Sequence, residues 1–222
     1  MRISRTVLLI CISLLLTLSG CYMSQYARSG KVDMSGETYA ELMPFSPGFE
    51  KALYKARLEV NGREFAGLMM LKAYDDGNYK AAFFSELGLN FFDFELRPVS
   101  GRNKMNLYVN NIYSPLDRNF LLNKFEKYFS MLLAPGPSGE EKTYLKKDGS
   151  MVLVKVDSYK GKDAYLSRNL IENYVSVVNI GGIWKKDRIT ITLSSQRTGH
   201  APEKILIDQP GFRLKFSLEI VD

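Results

Sequence analysis

The sequence predicts a mainly β domain of α+β type, in which a curled antiparallel sheet of about ten to eleven strands packs with one strong helix. Three observations predict this fold class. Apolar and polar residues alternate in many short segments that are separated by turn residues. One segment has its apolar residues at helical spacing instead. Several strands in the first half are apolar on both faces, so each face needs a cover.

The first half of the chain predicts a meander of antiparallel strands. Residues 51–60 alternate apolar with polar side chains, and Asn61-Gly62 follows them. This dipeptide favours a type I′ hairpin turn, because both central positions of that turn need a positive φ. Further strands of this half are expected at 65–74, 79–85, 89–96 and 104–109.

One helix interrupts the β pattern. Ser114 is a candidate N-cap, with Pro115 at the first helical position, and the Pro/Gly-rich stretch 134–139 ends the helix. The β pattern then resumes in the same style, which favours a single domain over residues 49–222. Its strands are expected at 142–147, 151–156, 163–167, 174–180, 188–193, 205–207 and 212–221.

The N-terminus has the layout of a bacterial lipoprotein signal. Arg2 and Arg5 precede an apolar run over 7–18, and small residues then lead to Cys21. Residues 1–20 are therefore expected to be a signal peptide, and Cys21 to be the lipidated first residue of the mature protein. Residues 21–48 would form a flexible tether, part of which could pack on the body as a short helix over 39–43. An ordinary signal peptide or a short uncleaved anchor are the alternatives.

The composition of the chain argues against nucleic acid as a partner and against cysteine-based sites. The formal net charge of +6 includes the two signal arginines, and no Lys/Arg-rich run occurs, so nucleic acid is a poor candidate partner. Cys11 lies in the signal, which leaves the mature domain without a disulfide or a thiolate metal site. No second apolar segment approaches the roughly 20 residues of a membrane-spanning helix. The lipid is therefore the expected membrane anchor.

The sequence offers little for catalysis. His200 is the one histidine, and it lies in a polar segment that is typical of an exposed loop. A catalytic dyad needs a nucleophile, a base in reach and a group that orients the base. No residue set has metal-ligand spacing. We therefore expect a non-enzymatic protein with no cofactor and no metal, and a hydrolase that uses His200 is the least favoured hypothesis.

The early strands carry apolar residues on both faces. In 68–71, Met69 and Leu71 share one face, and 83–84 and 91–92 are phenylalanine pairs. The interior of the curled sheet is then either filled by side chains or hollow enough to accept an acyl chain, and both possibilities stay open. A shift of one residue in register would exchange the two faces. The residues expected to line such a cavity are Met69, Leu71, Phe83, Phe91 and Phe94.

The stretches 65–72 (FAGLMMLK) and 83–94 (FFSELGLNFFDF), together with the order lipobox, hairpins, helix, Pro/Gly loop and strands, resemble the LolA/LolB-like bacterial lipid-handling proteins. The resemblance implies an unclosed antiparallel barrel around a hydrophobic cavity, with one or two helices as a lid. It implies carriage of lipoproteins across the periplasm or their receipt at the outer membrane. The residues expected on the lid helix are Leu121, Phe125, Phe129 and Leu132.

The same resemblance bears on location and mechanism. The outer-membrane receptor of that group uses an exposed apolar loop residue to insert lipoproteins, and the sequence alone identifies no counterpart of it. Residue 22 is Tyr rather than the Asp that retains enterobacterial lipoproteins at the inner membrane. We therefore expect a lipoprotein of the outer membrane that faces the periplasm and binds an acyl chain, a lipoprotein or an apolar segment. The alternative is a structural or accessory lipoprotein with a filled core and an envelope protein partner.

Overall fold

The structure, a computed structural model, describes residues 30–31, 44–45, 48–100, 104–133, 136–145, 151–157, 163–169, 174–179, 189–194, 197–198 and 200–221. The predicted signal peptide, Cys21 and most of the predicted tether lie outside these residues. Phe45, which falls within the predicted tether, is buried and its ring centroid lies 4.5 Å from that of Phe49. The packed body therefore includes Phe45.

The described elements are fifteen strands, one α-helix and one 3-10 helix. In chain order they are β1 (Gly30–Lys31), β2 (Lys51–Val60), β3 (Arg63–Ala73), β4 (Tyr79–Phe84), β5 (Asn90–Pro98), β6 (Met105–Ile112), α1 (Asn119–Leu133), β7 (Gly136–Leu145), β8 (Met151–Asp157), β9 (Asp163–Asn169), β10 (Tyr174–Asn179), β11 (Ile189–Ser194), β12 (Arg197–Thr198), β13 (Ala201–Pro202), β14 (Lys204–Gln209), the 3-10 helix (Pro210–Phe212) and β15 (Leu214–Ile220).

Thirteen of the strands form one sheet, in the order β1-β7-β8-β9-β10-β11-β14-β15-β2-β3-β4-β5-β6. Its pairings are antiparallel, and β15 at the end of the chain pairs with β2 near its start. Among the described residues, no register joins the two outermost strands, β1 and β6. The fold is thus mainly β, with an open antiparallel sheet and one α-helix, as the sequence predicts. The sheet has more strands than the ten to eleven expected.

The first hairpin forms as its sequence predicts. Residues on alternate positions of β2 are buried, from Ala52 to Val60, and the turn residues Asn61 and Gly62 have φ values of 50° and 77°. Both positive values are those of a type I′ turn, whose twist matches that of the flanking strands.

The sheet is strongly curled. Phe83 on β4 and Phe216 on β15 are three strand positions apart, which is roughly 14 Å along a flat sheet. Their ring centroids nevertheless lie 5.8 Å apart. Phe92 on β5 is one strand further away, and its ring centroid lies 6.5 Å from that of Phe216. The concave side of the curl is therefore narrow enough for opposite strands to touch.

Several predicted boundaries are wrong. The strand predicted at 142–147 is Gly136–Leu145, which begins within the predicted Pro/Gly stretch 134–139. The helix begins at Asn119 rather than at Ser114-Pro115, because the intervening residues form turns in which the Leu116 N–H donates to the Tyr113 carbonyl over 2.8 Å. The last strand begins at Leu214 rather than residue 212, because the 3-10 helix and Arg213, with φ of 46°, precede it. The predicted helix end before residue 134 is confirmed.

Candidate functional site

The concave side of the sheet, called here the inner face, carries rows of large apolar side chains. One row runs across β2 to β5 through Tyr54, Met69, Phe83 and Phe92, which are direct cross-strand neighbours. The next row contains Leu71, Ala81 and Phe94. These side chains are all buried, and cross-strand neighbours on one face pack against each other. The inner face is thus a continuous apolar surface.

Helix α1 lies on this inner face. The ring centroid of Phe125 lies 5.3 Å from that of Phe92 and 5.7 Å from that of Phe94. The ring of Phe129 meets Phe94 edge-on at 6.5 Å. Leu121 and Leu132 are buried as well, so all four residues expected on a lid helix are on its buried side. The helix therefore covers the inner face of the central strands.

The five residues expected to line a cavity all lie in this core. Met69, Leu71, Phe83 and Phe94 alternate toward the inner face. Phe83 and Phe94 have 0% of their surface exposed. A side chain beside a water-sized void keeps some accessible surface, so in this conformation neighbouring side chains fill the space around both rings. A cavity at these two positions stays a prediction, and it requires α1 to move.

Phe91 reaches the same core by a different route. The register between β4 and β5 shifts between Phe83 and Phe84, which is a β-bulge. A bulge lets two residues of one strand oppose one residue of the other. Phe91 and Phe92 accordingly place their ring centroids 4.8 Å and 5.5 Å from that of Phe83. Phe92 lies on the inner face with Phe94 by ordinary alternation, and the residues expected from the sequence to line a cavity did not include it.

The convex side of β2 to β5, called here the outer face, is only partly covered. Leu68, Met70 and Phe84 lie on it and are half-buried. The apolar residues on both faces led us to expect a cover for each face of these strands. Among the described residues, α1 and the large buried rings lie on the inner face, because the curl encloses α1 on the concave side.

A few polar groups lie within the apolar interior. The Tyr128 hydroxyl on α1 donates to Gln209 Oε1 over 2.6 Å, and both residues are buried. The Tyr54 hydroxyl donates to the Pro202 carbonyl over 3.2 Å. Burial raises the pKa of both tyrosines, because the low-polarity interior disfavours the phenolate. These hydrogen bonds satisfy groups that would otherwise be buried without partners.

One end of the sheet carries most of the exposed apolar surface. It is the end at which β2, β4 and β6 finish and β15 begins. Leu87, in the loop between β4 and β5, is 98% exposed. Five of the eight large exposed apolar side chains of the described residues belong to this end. They are Leu87, Leu89, Tyr113, Phe120 and Phe212.

Leu87 is an exposed apolar residue in the loop between β4 and β5. It follows Ser85-Glu86, and the Gly88 N–H donates to the Ser85 carbonyl to close the turn. A leucine at a loop tip has no distinguishing sequence signal, because exposure depends on where the loop lies. The structure supplies that position.

The described residues contain no group of three or more His, Cys, Asp or Glu side chains placed to hold a metal ion. His200 is exposed, as the sequence predicts for a loop histidine. No helix among the described residues is both long enough and apolar enough to cross a membrane.

Comparisons with known proteins find similarity at the level of structure. No protein-family model matches the sequence, and no curated protein matches it. Among solved structures, a LolA superfamily protein from Nitrosomonas europaea is similar, with a TM-score of 0.46 and 8% sequence identity. The match covers 86% of this chain and 93% of that chain. The proposals below therefore depend on the residues and geometry of this chain.

Proposed function

We propose that the protein is a non-enzymatic lipoprotein of the bacterial outer membrane, facing the periplasm, that binds an acyl chain or an apolar segment on its inner face beneath α1. The observation that carries the proposal is the continuous apolar inner face, covered by a separate amphipathic helix. The ligand class includes the acyl groups of other lipoproteins. Cys21 would be the lipid anchor.

The contacts of α1 are of a kind that an acyl chain can replace. Its polar contacts include Tyr128 with Gln209, Ser130 with Met105, and the 2.8 Å ion pair of Lys104 with Glu126. The contacts of Phe125 with the inner face are apolar, and hydrophobic contact is non-directional. An alkyl chain on Phe92 and Phe94 would bury the same surface that Phe125 now buries. In this proposal α1 acts as a lid.

The exposed apolar end is the proposed membrane-facing end. Leu87 would enter the lipid surface, since moving a fully exposed leucine side chain from water into lipid lowers the free energy. The lipid anchor would precede β1, and the nine residues from Cys21 to Gly30 span up to roughly 30 Å when extended.

The first test concerns the bound ligand. All described elements lie after residue 29, so a chain of residues 21–222 with Cys21→Ser contains the whole described fold. This chain is purified, extracted with solvent and analysed by mass spectrometry, and its uptake of a fluorescent fatty acid is measured. The proposal expects bound lipid or saturable uptake. A protein that contains no lipid and takes up no fatty acid contradicts it.

A second test concerns Leu87. Leu87→Glu is expected to weaken delivery of the fatty acid to vesicles while leaving uptake unchanged, because the residue lies outside the inner face. Leu87→Met keeps an apolar tip and serves as the matched control. Equal delivery by the two variants would remove Leu87 from the proposal without affecting the ligand site.

A filled core is favoured by one observation, namely that Phe83, Phe92, Phe94 and Phe125 have no exposed surface. The corresponding function is an accessory lipoprotein that binds an envelope protein partner through its surface. Crosslinking in the native envelope would support this function if it captured one stoichiometric protein partner and solvent extraction found no lipid.

A further inference from the structure

One buried amide in the interior has an unused donor. Gln209 has 0% of its surface exposed, and its Nε2 has no hydrogen-bond partner among the described residues. A buried amide donor without an acceptor is destabilising, and buried polar groups in folded proteins are nearly always paired. An acceptor oxygen at this position would therefore be bound favourably.

The orientation of the amide is fixed by its other end. The Tyr128 hydroxyl donates to Gln209 Oε1 over 2.6 Å, so this oxygen is already engaged. The two N–H groups of Nε2 are left for a different partner. Tyr128 is itself buried on α1, and the amide is therefore held at the boundary between the proposed lid and the sheet.

The position of Gln209 suits the polar head of a chain-like ligand. It is the last residue of β14, it pairs with Leu214, and it directly precedes the exposed 3-10 helix at the apolar end. Lys124 lies one helical turn before Tyr128, and its Nζ is 3.8 Å from the ring centroid of Phe212. The unused donor thus lies next to the 3-10 helix at the exposed apolar end.

We propose that Gln209 Nε2 donates a hydrogen bond to the carbonyl or carboxylate oxygen at the head of the bound acyl chain. This inference rests on the proposed function, because it assigns a polar anchor within the same apolar site. The alkyl tail would lie along the inner face, and the head would lie beneath Phe212. The ligand class is therefore acyl compounds with an oxygen acceptor, in preference to hydrocarbons of equal length.

The test compares two probes of equal chain length on the chain of residues 21–222 with Cys21→Ser. Palmitic acid and hexadecane each compete with a fluorescent apolar dye. Gln209 is expected to raise the affinity for palmitic acid relative to hexadecane by about tenfold, the size of one buried hydrogen bond. Gln209→Met keeps the length of the side chain, removes the donor, and is expected to lower this affinity ratio by about tenfold.

Asn90 provides the matched control. Its side chain also has an unpaired buried atom, but that atom is the acceptor Oδ1, which cannot donate to a carbonyl. Asn90→Ala is therefore expected to keep the preference for palmitic acid. Competition by a diacyl phospholipid and by a diacylated cysteinyl peptide distinguishes the two natural sources of the acyl group.

The outcomes separate this inference from the proposed function. Failure of the Gln209-containing protein to bind either probe overturns both. Binding of both probes with no effect of Gln209→Met overturns the anchor alone. Infrared spectroscopy of carbonyl-labelled methyl palmitate, bound to the protein with Gln209 in place, needs no variant at this position. A carbonyl band shifted to lower frequency supports the hydrogen bond, and an unshifted band contradicts it.

Discussion

The inner and outer faces of the central strands differ more in burial than in the hydrophobicity of their residues. Met69 and Met70 are adjacent on β3, yet Met69 is buried on the inner face while Met70 is half-buried on the outer face. The inner face closes against α1 and against the opposite wall of the curl. The outer face has no such cover among the described residues. Equal hydrophobicity on two faces of a strand therefore does not imply equal burial when the sheet curls.

Charged pairs lie on the outer face and on strands β14 and β15. Lys80 contacts Asp93 over 2.9 Å, and Lys204 contacts Glu219 over 2.9 Å. The neighbouring side chain raises the pKa of Lys80 and lowers that of Glu219, in each case mainly through the hydrogen bond. The outer face meets solvent, whereas the inner face is core and proposed ligand site. The expected effects of mutation differ accordingly.

The largest expected effect is at the inner face. Phe94→Ala removes a fully buried ring that contacts Phe92, Phe125 and Phe129, and we expect it to lower the free energy of unfolding by about 3–5 kcal/mol. Phe84→Ala on the half-buried outer face is the matched control, with a loss of no more than about 2 kcal/mol. Urea unfolding measures both, and equal losses would contradict the distinction between the faces.

Alkaline pH tests the same interior. Both Tyr54 and Tyr128 have a pKa above the ordinary value of 10.0, so their stabilising effect is complete below pH 10 and is lost as the unfolded chain deprotonates above it. Unfolding free energy should fall by about 1.4 kcal/mol per pH unit for each tyrosine. Tyr128→Phe should reduce this slope by about 1.4 kcal/mol per pH unit. A flat profile above pH 10 would show that these phenols are not buried.

The next largest loss of stability is expected at Gly67, where β3 lies close to the backbone at the end of β4. A Cβ on Gly67 would lie 2.0 Å from the Phe84 carbonyl oxygen, which is backbone and cannot easily move. We expect Gly67→Ala to cost about 1–3 kcal/mol through overpacking. Ala66→Ser, at the exposed neighbouring position, is the control and should be nearly neutral. Thermal unfolding measures the stability of both variants. If Gly67→Ala were as stable as the unmodified protein, β4 could shift away from β3.

The smallest effect is expected at the outer-face ion pair. The Lys80 and Asp93 side chains are both partly exposed, and solvent screens such pairs. Lys80→Met should therefore lower the free energy of unfolding by less than about 1 kcal/mol. The difference should shrink further in high salt. A loss as large as that of Phe94→Ala would place this pair in the core instead.

Local patterns predicted much of the fold. The alternation in residues 51–60 and the Asn61-Gly62 turn are confirmed, and so is the helix end before residue 134. These features depend on neighbours in sequence. The apolar spacing of Phe125 and Phe129 also identified the buried side of α1, because helical periodicity fixes which residues share a face.

The remaining features depend on distant contacts. A β-bulge brought Phe91 into the same core as Phe92, and no local pattern marks such an insertion. The curl placed α1 on the same face as Phe94, which a strand pattern alone cannot specify. Leu87 and Gln209 have ordinary sequence surroundings, and their exposure and burial arise from the loop path and from the packing of α1.

A reversible lock on α1 tests the central claim most directly. The Met105 N–H donates to Ser130 Oγ over 2.9 Å, so β6 and α1 meet at these two positions, and they are chosen for a disulfide between the two elements. Met105→Cys with Ser130→Cys is made in the chain of residues 21–222 with Cys21→Ser. Uptake of a fluorescent fatty acid is then measured in the oxidised and the reduced forms of the same protein. We predict saturable uptake in the reduced form and its loss in the oxidised form, and equal uptake in both forms would contradict the claim that the ligand binds beneath α1.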